Sequence, residues 1–415
     1  MEKQWIMVIG SGAASFRGYI LEALHDHGFS IFLVNEGEPT WEKQYIKKWL
    51  VMPLDEEIVN NQIKSISEII ELYDIKGILT YVELYVELTA KISELLGLNF
   101  YPLAIAKLAR DKYEMRKCLQ EKGLLVPNYK KCKLDLEESI NEIGIPCVLK
   151  PVKGYSSVNV IKVESNSDRH KLQKILNDEN NLQRWSIEQE YIIEEYIEGQ
   201  EVSVESIVSQ GQITHVAITD KFKGEEPYFE EIAHILPSKL SSDSVDIIFE
   251  TASHGIKALG LNNCAVHTEI KLNKKGPYII EIGGRLGGDK IPYLSKLALG
   301  IDMGVYAGKA SLKMECSPKP SIHKYAGIAF FVPSHKQTIE KVPNGTPPIK
   351  EVVEFRFWSK EGEEIMPPPD SFFTRLGFVI VLSDSYAQCT KLLSEVIKWV
   401  EYETKLLLSN PFNSI

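Results

Sequence analysis

Along the first hundred residues, short apolar runs alternate with stretches whose apolar residues recur at helical spacing. The runs are Ile6 to Ile9, Ile31 to Val34 and Gly77 to Tyr81, and the amphipathic stretches are Phe16 to His27, Glu56 to Tyr73 and Glu83 to Leu96. Strands buried on both faces show as continuous apolar runs, and the helices that cover them show a period near 3.6, so this alternation predicts a βαβαβ unit on a parallel sheet. From about Val126 the pattern shifts to β-rich runs: Cys147 to Lys150, Val158 to Val163, Tyr191 to Tyr196, Val202 to Val208 and Gln212 to Thr219, with one helix-like insert at Asp168 to Leu176. A second, α+β region is therefore expected to begin near Pro127. A helix over Val245 to Leu259, strands over Cys264 to Leu272 and Tyr278 to Ile282, and helices to about Leu312 follow. Prolines from Pro318 to Pro369 punctuate a final β-rich portion that closes in a helix over Ser385 to Tyr402. No internal repeat or low-complexity segment interrupts this order.

Composition narrows the class. At roughly 100 to 200 residues per domain, 415 residues allow two to four domains, each with a core of its own. With 44% hydrophobic and 25% charged residues the chain is an ordinary globular one. Its longest apolar runs, such as Gly377 to Leu382, fall far short of the roughly 20 residues of a membrane helix, and no basic region followed by an apolar stretch opens the chain. A cytoplasmic location is expected. Six widely spaced cysteines without a CxxC pair argue against a zinc knuckle or a dithiol site. The 47 basic against 57 acidic side chains, net −10, argue against a nucleic-acid footprint.

Gly10, Gly12 and Ser15 follow the first strand, and Glu36 ends the second, outlining a dinucleotide fingerprint without its third glycine. The same glycines serve equally well for a βα turn that holds no ligand. Further along, four separated segments carry residue types that a nucleoside triphosphate needs. Asp111 and Lys112 open a helical run, and Lys150 ends an apolar strand before Pro151. Lys153, Gly154, Tyr155, Ser156 and Ser157 form a short loop whose amides and hydroxyls suit phosphate oxygens. In Glu194, Glu195, Tyr196, Ile197, Glu198, Gly199, Gln200 and Glu201, a strand stops at a glycine turn, so backbone groups can meet an adenine edge and Glu201 a ribose.

The strongest physical signal lies at Glu269 and Glu281. A three-residue loop of Lys274, Lys275 and Gly276 would make Asn273 face Pro277 and set Glu269 opposite Glu281 on one face. Two unpaired carboxylates there would repel, and a hard cation such as Mg²⁺ removes the conflict. A two-residue loop would instead put Glu269 opposite Ile280. Beyond them, Gly283, Gly284, Arg285, Leu286, Gly287, Gly288 and Asp289 leave one guanidinium uncrowded, suited to a carboxylate or a phosphoryl oxygen. Asp289 is a candidate for an ammonium group. His234 reads as a loop histidine or as a stabiliser of charge on a transferring phosphate.

Taken in order, these segments resemble the ATP-grasp superfamily of carboxylate–amine ligases. The stretches EIGGRLGGD and TRLGFVIVLSD (Thr374 to Asp384) are most similar to bacterial L-amino acid ligases. The resemblance implies an ATP-grasp fold of mixed α/β and α+β class with three domains: a Rossmann-like N-terminal domain over 1–110, a small central lid over 111–197, and a large C-terminal domain over 198–415. It implies that Lys112 and Lys150 bind ATP phosphates and that Gly154 to Ser157 form the lid loop. It also implies that Glu194, Tyr196 and Ile197 hold adenine, the last two through their backbone, with Glu195 in the same nucleotide site, that Glu201 holds the ribose, and that Glu269 and Glu281 hold the Mg²⁺ or Mn²⁺. Arg285 and His234 would stabilise an acyl phosphate. Glu83, Arg285 and Gly288 would face the amino acid substrate, with Asp289 at the amine. Gly283 departs from the pattern, since many relatives carry asparagine there as a further metal ligand. The implied activity is ATP-dependent formation of a dipeptide through an aminoacyl phosphate, releasing ADP and phosphate. Purine-pathway or carnosine-type ligation, nicotinamide-dependent oxidoreduction at the Gly10 turn, and a non-catalytic nucleotide-binding protein are the competing readings. Partners are expected to be small amino acids, with neither nucleic acid nor membrane, and a homodimer is left open.

Overall fold

The computed structural model describes residues 4–132, 136–155, 157–165, 168, 190–224, 226–367, 371 and 374–413. The N-terminal unit is a four-stranded parallel sheet in the order β3-β2-β1-β4, with β1 Trp5–Ile9, β2 Ser30–Asn35, β3 Lys48–Val51 and β4 Gly77–Leu79. Helices α1 Ala14–Asp26, α2 Glu56–Tyr73 and α3 Val86–Leu96 connect and cover it, as the apolar periods predict. The short edge strand β3, KWLV, went unpredicted although Trp49 to Met52 form a short apolar run; it lies at the sheet edge with three of its four residues exposed.

The Gly10 turn is a packed corner. Gly10 has a φ of 72°, and a Cβ at that position would run into the ring of Tyr85. Tyr85 Oη donates to Glu36 Oε2 at 3.1 Å, so the acidic residue expected at a ribose is held within the protein. The nicotinamide reading therefore loses both its turn and its acid, and the outer end of the turn, Gly12 and Ala13, faces a different cavity.

Helices α4 Leu103–Arg110 and α5 Lys112–Glu121 lead into an antiparallel four-stranded sheet, β5-β8-β6-β7, formed by β5 Tyr129–Cys132, β6 Cys147–Pro151, β7 Ile161–Val163 and β8 Tyr191–Glu195. A helix α6, Leu136–Ile143, which the patterning missed, packs on it. The insert expected at Asp168 to Leu176 lies, apart from Asp168, outside the described residues.

The remaining strands make one eight-stranded sheet, β13-β12-β9-β10-β11-β14-β18-β16. They are β9 Gln200–Ser209, β10 Gln212–Lys223, β11 Glu231–Leu236, β12 Cys264–Asn273, β13 Gly276–Gly283, β14 Tyr325–Phe330, β16 Val352–Phe357 and β18 Gly377–Ser383, and β15 Gln337–Thr338 pairs separately with β17 Glu364–Ile365. The proline-punctuated terminal portion thus continues the same sheet. Alternation assigns the faces. Ile328, Phe330 and Ile380 pack with Ile6 and Leu24 of the N-terminal unit, while Ala329, Phe331, Val379 and Val381 pack under the terminal helix Tyr386–Thr404. Met115 and Leu119 of α5 join Val202, Val204 and Ile248 in a further core. Although α5 precedes the small sheet in sequence, its apolar face belongs to the large one.

Candidate active site

A cavity of about 700 Å³ is walled by both antiparallel sheets and by the Gly12 end of α1. Lys112, Lys150, Gly154, Ser157, Glu194, Glu195, Tyr196, Ile197, Glu201, Glu269, Glu281, Arg285, Gly288, Asp289 and Glu83 all line it. Ser156 lies outside the described residues. His234 is not among the lining residues: it is fully buried behind Asp289, with Nε2 3.0 Å from Asp289 Oδ2.

At one end α5 presents Lys112 and Arg116, four residues apart and so on one helical face. Asp111 caps this helix by accepting from Glu114 N–H at 3.0 Å. Lys112 Nζ lies 3.0 Å from Glu281, and Arg116 Nε 2.8 Å from Glu194, which also pairs with Lys150. Burial would raise the Glu194 carboxyl, but Arg116 and Lys150 outweigh it and hold it low. Burial lowers the Lys150 ammonium, against the pull of Glu194. Glu201 pairs with Lys223 at 2.5 Å, and the Ile197 carbonyl accepts from Lys271 Nζ at 2.8 Å. Gly199 turns the chain with a φ of 133°, where a Cβ would strike the Leu272 carbonyl.

Glu269 and Glu281 do stand opposite each other, but by another route than a three-residue loop. Asn273 faces Gly276 across a two-residue turn, and a bulge between Glu269 and Ile270 leaves Ile280 unpaired on β13. That extra residue restores the pairing the short turn would have lost. Its carbonyl accepts from Arg116 Nη2 at 2.5 Å, so the buried arginine pins the bulge. The two carboxylates are also not unpaired: Lys221 Nζ is 2.5 Å from Glu269, and Lys112 meets Glu281. Burial would raise the Glu269 carboxyl, yet Lys221 and His267 hold it well below the usual range. Two adjacent carboxylates open to the cavity are a hard-oxygen donor set that fits Mg²⁺ or Mn²⁺. Across from Gly283 stands His267, whose Nδ1 is 2.6 Å from Glu205. Burial alone would depress this imidazolium, but Glu205 and Glu269 raise it to about 9, so it is a cation at neutral pH.

At the other end Arg285 pairs with Glu83, which also meets Arg110 at 2.6 Å. Glu83 opens a 3-10 turn before α3, yet its side chain faces inward. Burial would raise its carboxyl, and the two guanidinium groups bring it down to about 2. Both oxygens of Asp289 are taken by Arg375, at 2.5 and 2.8 Å. A carboxylate so held, with its pKa driven far down by Arg375 and His234 against the cost of burial, is a poor proton acceptor. Glu231, His234 and Asp289 could converge on a cation, but Lys221, 2.6 Å from Glu231, and Arg375 already neutralise both acids. Glu230 differs. It lines the cavity, among the described residues its carboxylate accepts only from Thr374 Oγ1 at 3.3 and 3.4 Å, and burial raises it to about 7.

Arg375, Lys221, His267, Glu205, Glu230 and Arg17 were not singled out from sequence. Glu201, Ser203 and Glu205 on β9, Lys221 and Lys223 on β10, and His267, Glu269 and Lys271 on β12 alternate with apolar residues. A charged row of period two inside otherwise apolar strands is the signal that marks this face.

Residues 143–293 match the family model for the ATP-grasp domain. Over 269 residues the chain is 32% identical to the alanine–anticapsin ligase of Bacillus subtilis (strain 168), covering 60% of this chain and 56% of that protein. It is 24% identical over 370 residues to carnosine synthase 1 of Mus musculus, covering 82% of this chain and 44% of that one. The chain therefore spans about half the length of these curated relatives. Among solved structures, the L-amino acid ligase from Bacillus licheniformis superposes with a TM-score of 0.79 at 22% identity, covering 99% of this chain and 100% of that one. No helix among the described residues is long and apolar enough to cross a membrane.

Proposed function

From the premise that this chain has the ATP-grasp fold and is similar to L-amino acid ligases, we propose that it joins two amino acids into a dipeptide at the expense of ATP, releasing ADP and phosphate. The observation that carries this reading is the convergence, in one cavity, of Lys112 and Lys150 with the Glu269–Glu281 pair and Arg285.

A carboxylate does not react with an amine at neutral pH. Transfer of the γ-phosphoryl group to it gives an acyl phosphate with a good leaving group. This transfer is catalysed mainly by positioning and by neutralising charge, which needs cations already in place. Lys112 and Lys150 serve the phosphates, and Arg285 serves the oxygens that gain charge as the amine attacks. A divalent cation held by Glu269 and Glu281 would neutralise phosphate charge there. Against the cost of burial, Lys221 and His267 hold the Glu269 carboxyl well below its usual range, and Lys112 sits 3.0 Å from Glu281. The small sheet excludes water that would otherwise hydrolyse the acyl phosphate. Glu230, which accepts from the Thr374 hydroxyl and has no paired cation among the described residues, is a better base than Asp289 for the proton that the attacking ammonium must lose.

The test is to mix the protein with Mg-ATP and pools of L-amino acids and measure nucleotide products. Amino-acid-dependent ADP and phosphate, with a dipeptide seen by mass spectrometry, is the expected result. AMP and pyrophosphate, or no turnover with any pool, would sink the reading.

A further inference from the structure

Among the described residues, nearly every cation that lines the cavity already has a carboxylate. Lys112 has Glu281, Lys150 has Glu194, Lys223 and Lys271 have Glu201, Arg285 has Glu83, Arg375 has Asp289 and His267 has Glu205. Arg17 is the exception. Arg17, on α1, lines the cavity and its Nη1 donates to the Gly287 carbonyl at 3.0 Å, but no carboxylate of the described residues pairs with it. We propose that Arg17 anchors the non-reacting carboxylate of the amine-donating amino acid, a role that rests on the ligase reading above.

Several features of the site support this. A planar fork with one arm tied to a backbone carbonyl is oriented in advance, and its remaining donors suit a carboxylate. Burial, the largest influence on Arg17, lowers its basicity by more than Tyr19 and Asp289 restore it, so a further counter-ion is favoured there. Helix α1 opens at Ala13 with no side-chain cap and no acidic residue in its first turn, which leaves the positive helix end open towards the same space. The bond to Gly287 also ties Arg17 to the Arg285–Asp289 segment, where the acyl group is expected. The stoichiometry of ligation selects the ligand: the acyl donor's α-carboxylate is consumed at the phosphate end, whereas that of the amine donor survives into the product. Beside Arg17, Phe16 and Trp358 meet with ring centroids 5.9 Å apart, an aromatic wall for the side chain of that amino acid.

The experiment uses Arg17→Gln, which removes the charge, and Arg17→Lys, which keeps it without the fork. Steady-state KM is measured for ATP, for the amine donor identified from the C-terminal residue of the product, and for the α-amide of that amino acid. Arg17→Gln should raise KM for the amino acid about 10- to 100-fold, the range for a lost charge-assisted pair. Arg17→Lys should fall between, KM for ATP should stay put, and the amide should not distinguish the three proteins. An unchanged KM, or an equal rise for acid and amide, overturns the assignment. If the wild type shows no amino-acid-dependent ADP release, the ligase reading itself has failed. Arg17 is then judged by thermal shifts of Mg-ADP-saturated protein with each of the twenty L-amino acids and their amides. Stabilisation by an acid but not its amide, lost in Arg17→Gln, sustains a carboxylate site, and equal shifts in both proteins refute it.

Discussion

Arg116 offers the sharpest test of how the fold sets the site. Its side chain is fully buried, and its partner Glu194 is 2% exposed. One guanidinium therefore binds the hinge of the small sheet through Glu194 and the bulge of β13 through the Ile280 carbonyl. Replacing it with methionine keeps much of the volume but strands both partners. Breaking a buried pair costs about 3–5 kcal/mol, and Lys150, which still meets Glu194, places the expected loss at the low end. For a lobe of about 200 residues, roughly 3 kcal/mol lowers the melting temperature by about 6–12 °C, readable by calorimetry. The bulge should also relax, moving Glu281 out of line with Glu269, so the concentration of Mg²⁺ needed for half-maximal ADP release should rise. Arg116→Met with Glu194→Gln should lose less stability than the two single changes summed, by about 1 kcal/mol or more. A melting temperature within 1 °C of wild type and an unchanged Mg²⁺ requirement would refute the pinning of the bulge by Arg116.

Further outcomes follow from single side chains. Glu281→Gln should keep the melting temperature near wild type while lowering ligation at least about 100-fold, and near-normal activity would make the acidic pair purely structural. Glu230 is raised to about 7, against an ordinary 4.5, so the folded state binds its proton more tightly. It should cost stability increasingly from about pH 4.5 to 7 and constantly above that. Glu230→Gln should therefore be more stable than wild type above pH 7, by up to about 3 kcal/mol, and equal to it near pH 4. Melting curves that stay parallel across that range would contradict a protonated Glu230. Gly10→Ala must accept a φ of 72° and displace the Tyr85 ring, so it should lose about 2–4 kcal/mol in thermal unfolding. Unchanged stability, or quenching of NADH fluorescence by the wild type, would reopen the turn as a ligand site.

The sequence by itself determined what depends on neighbours in the chain. Apolar periods located the parallel N-terminal sheet, and the order of Lys112, Lys150, Glu194 to Glu201, Glu269, Glu281 and Arg285 outlined the fold and the cavity wall. It also put Glu269 opposite Glu281, but through a loop of the wrong length. A bulge changes register without changing the apolar pattern, and the residue that holds it, Arg116, lies 164 positions from Ile280. Tertiary structure alone decided which charges are satisfied. Lys221 meets Glu269 across 48 positions, Arg375 meets Asp289 across 86, and Glu83 meets Arg285 across 202. An ion pair takes its strength from separation and desolvation, and neither is encoded in local spacing. For that reason His234 and Asp289 look alike as candidates in the sequence and Arg17 does not stand out at all, whereas in the folded protein the first is buried behind the second, the second is fully paired, and Arg17 has no counter-ion among the described residues.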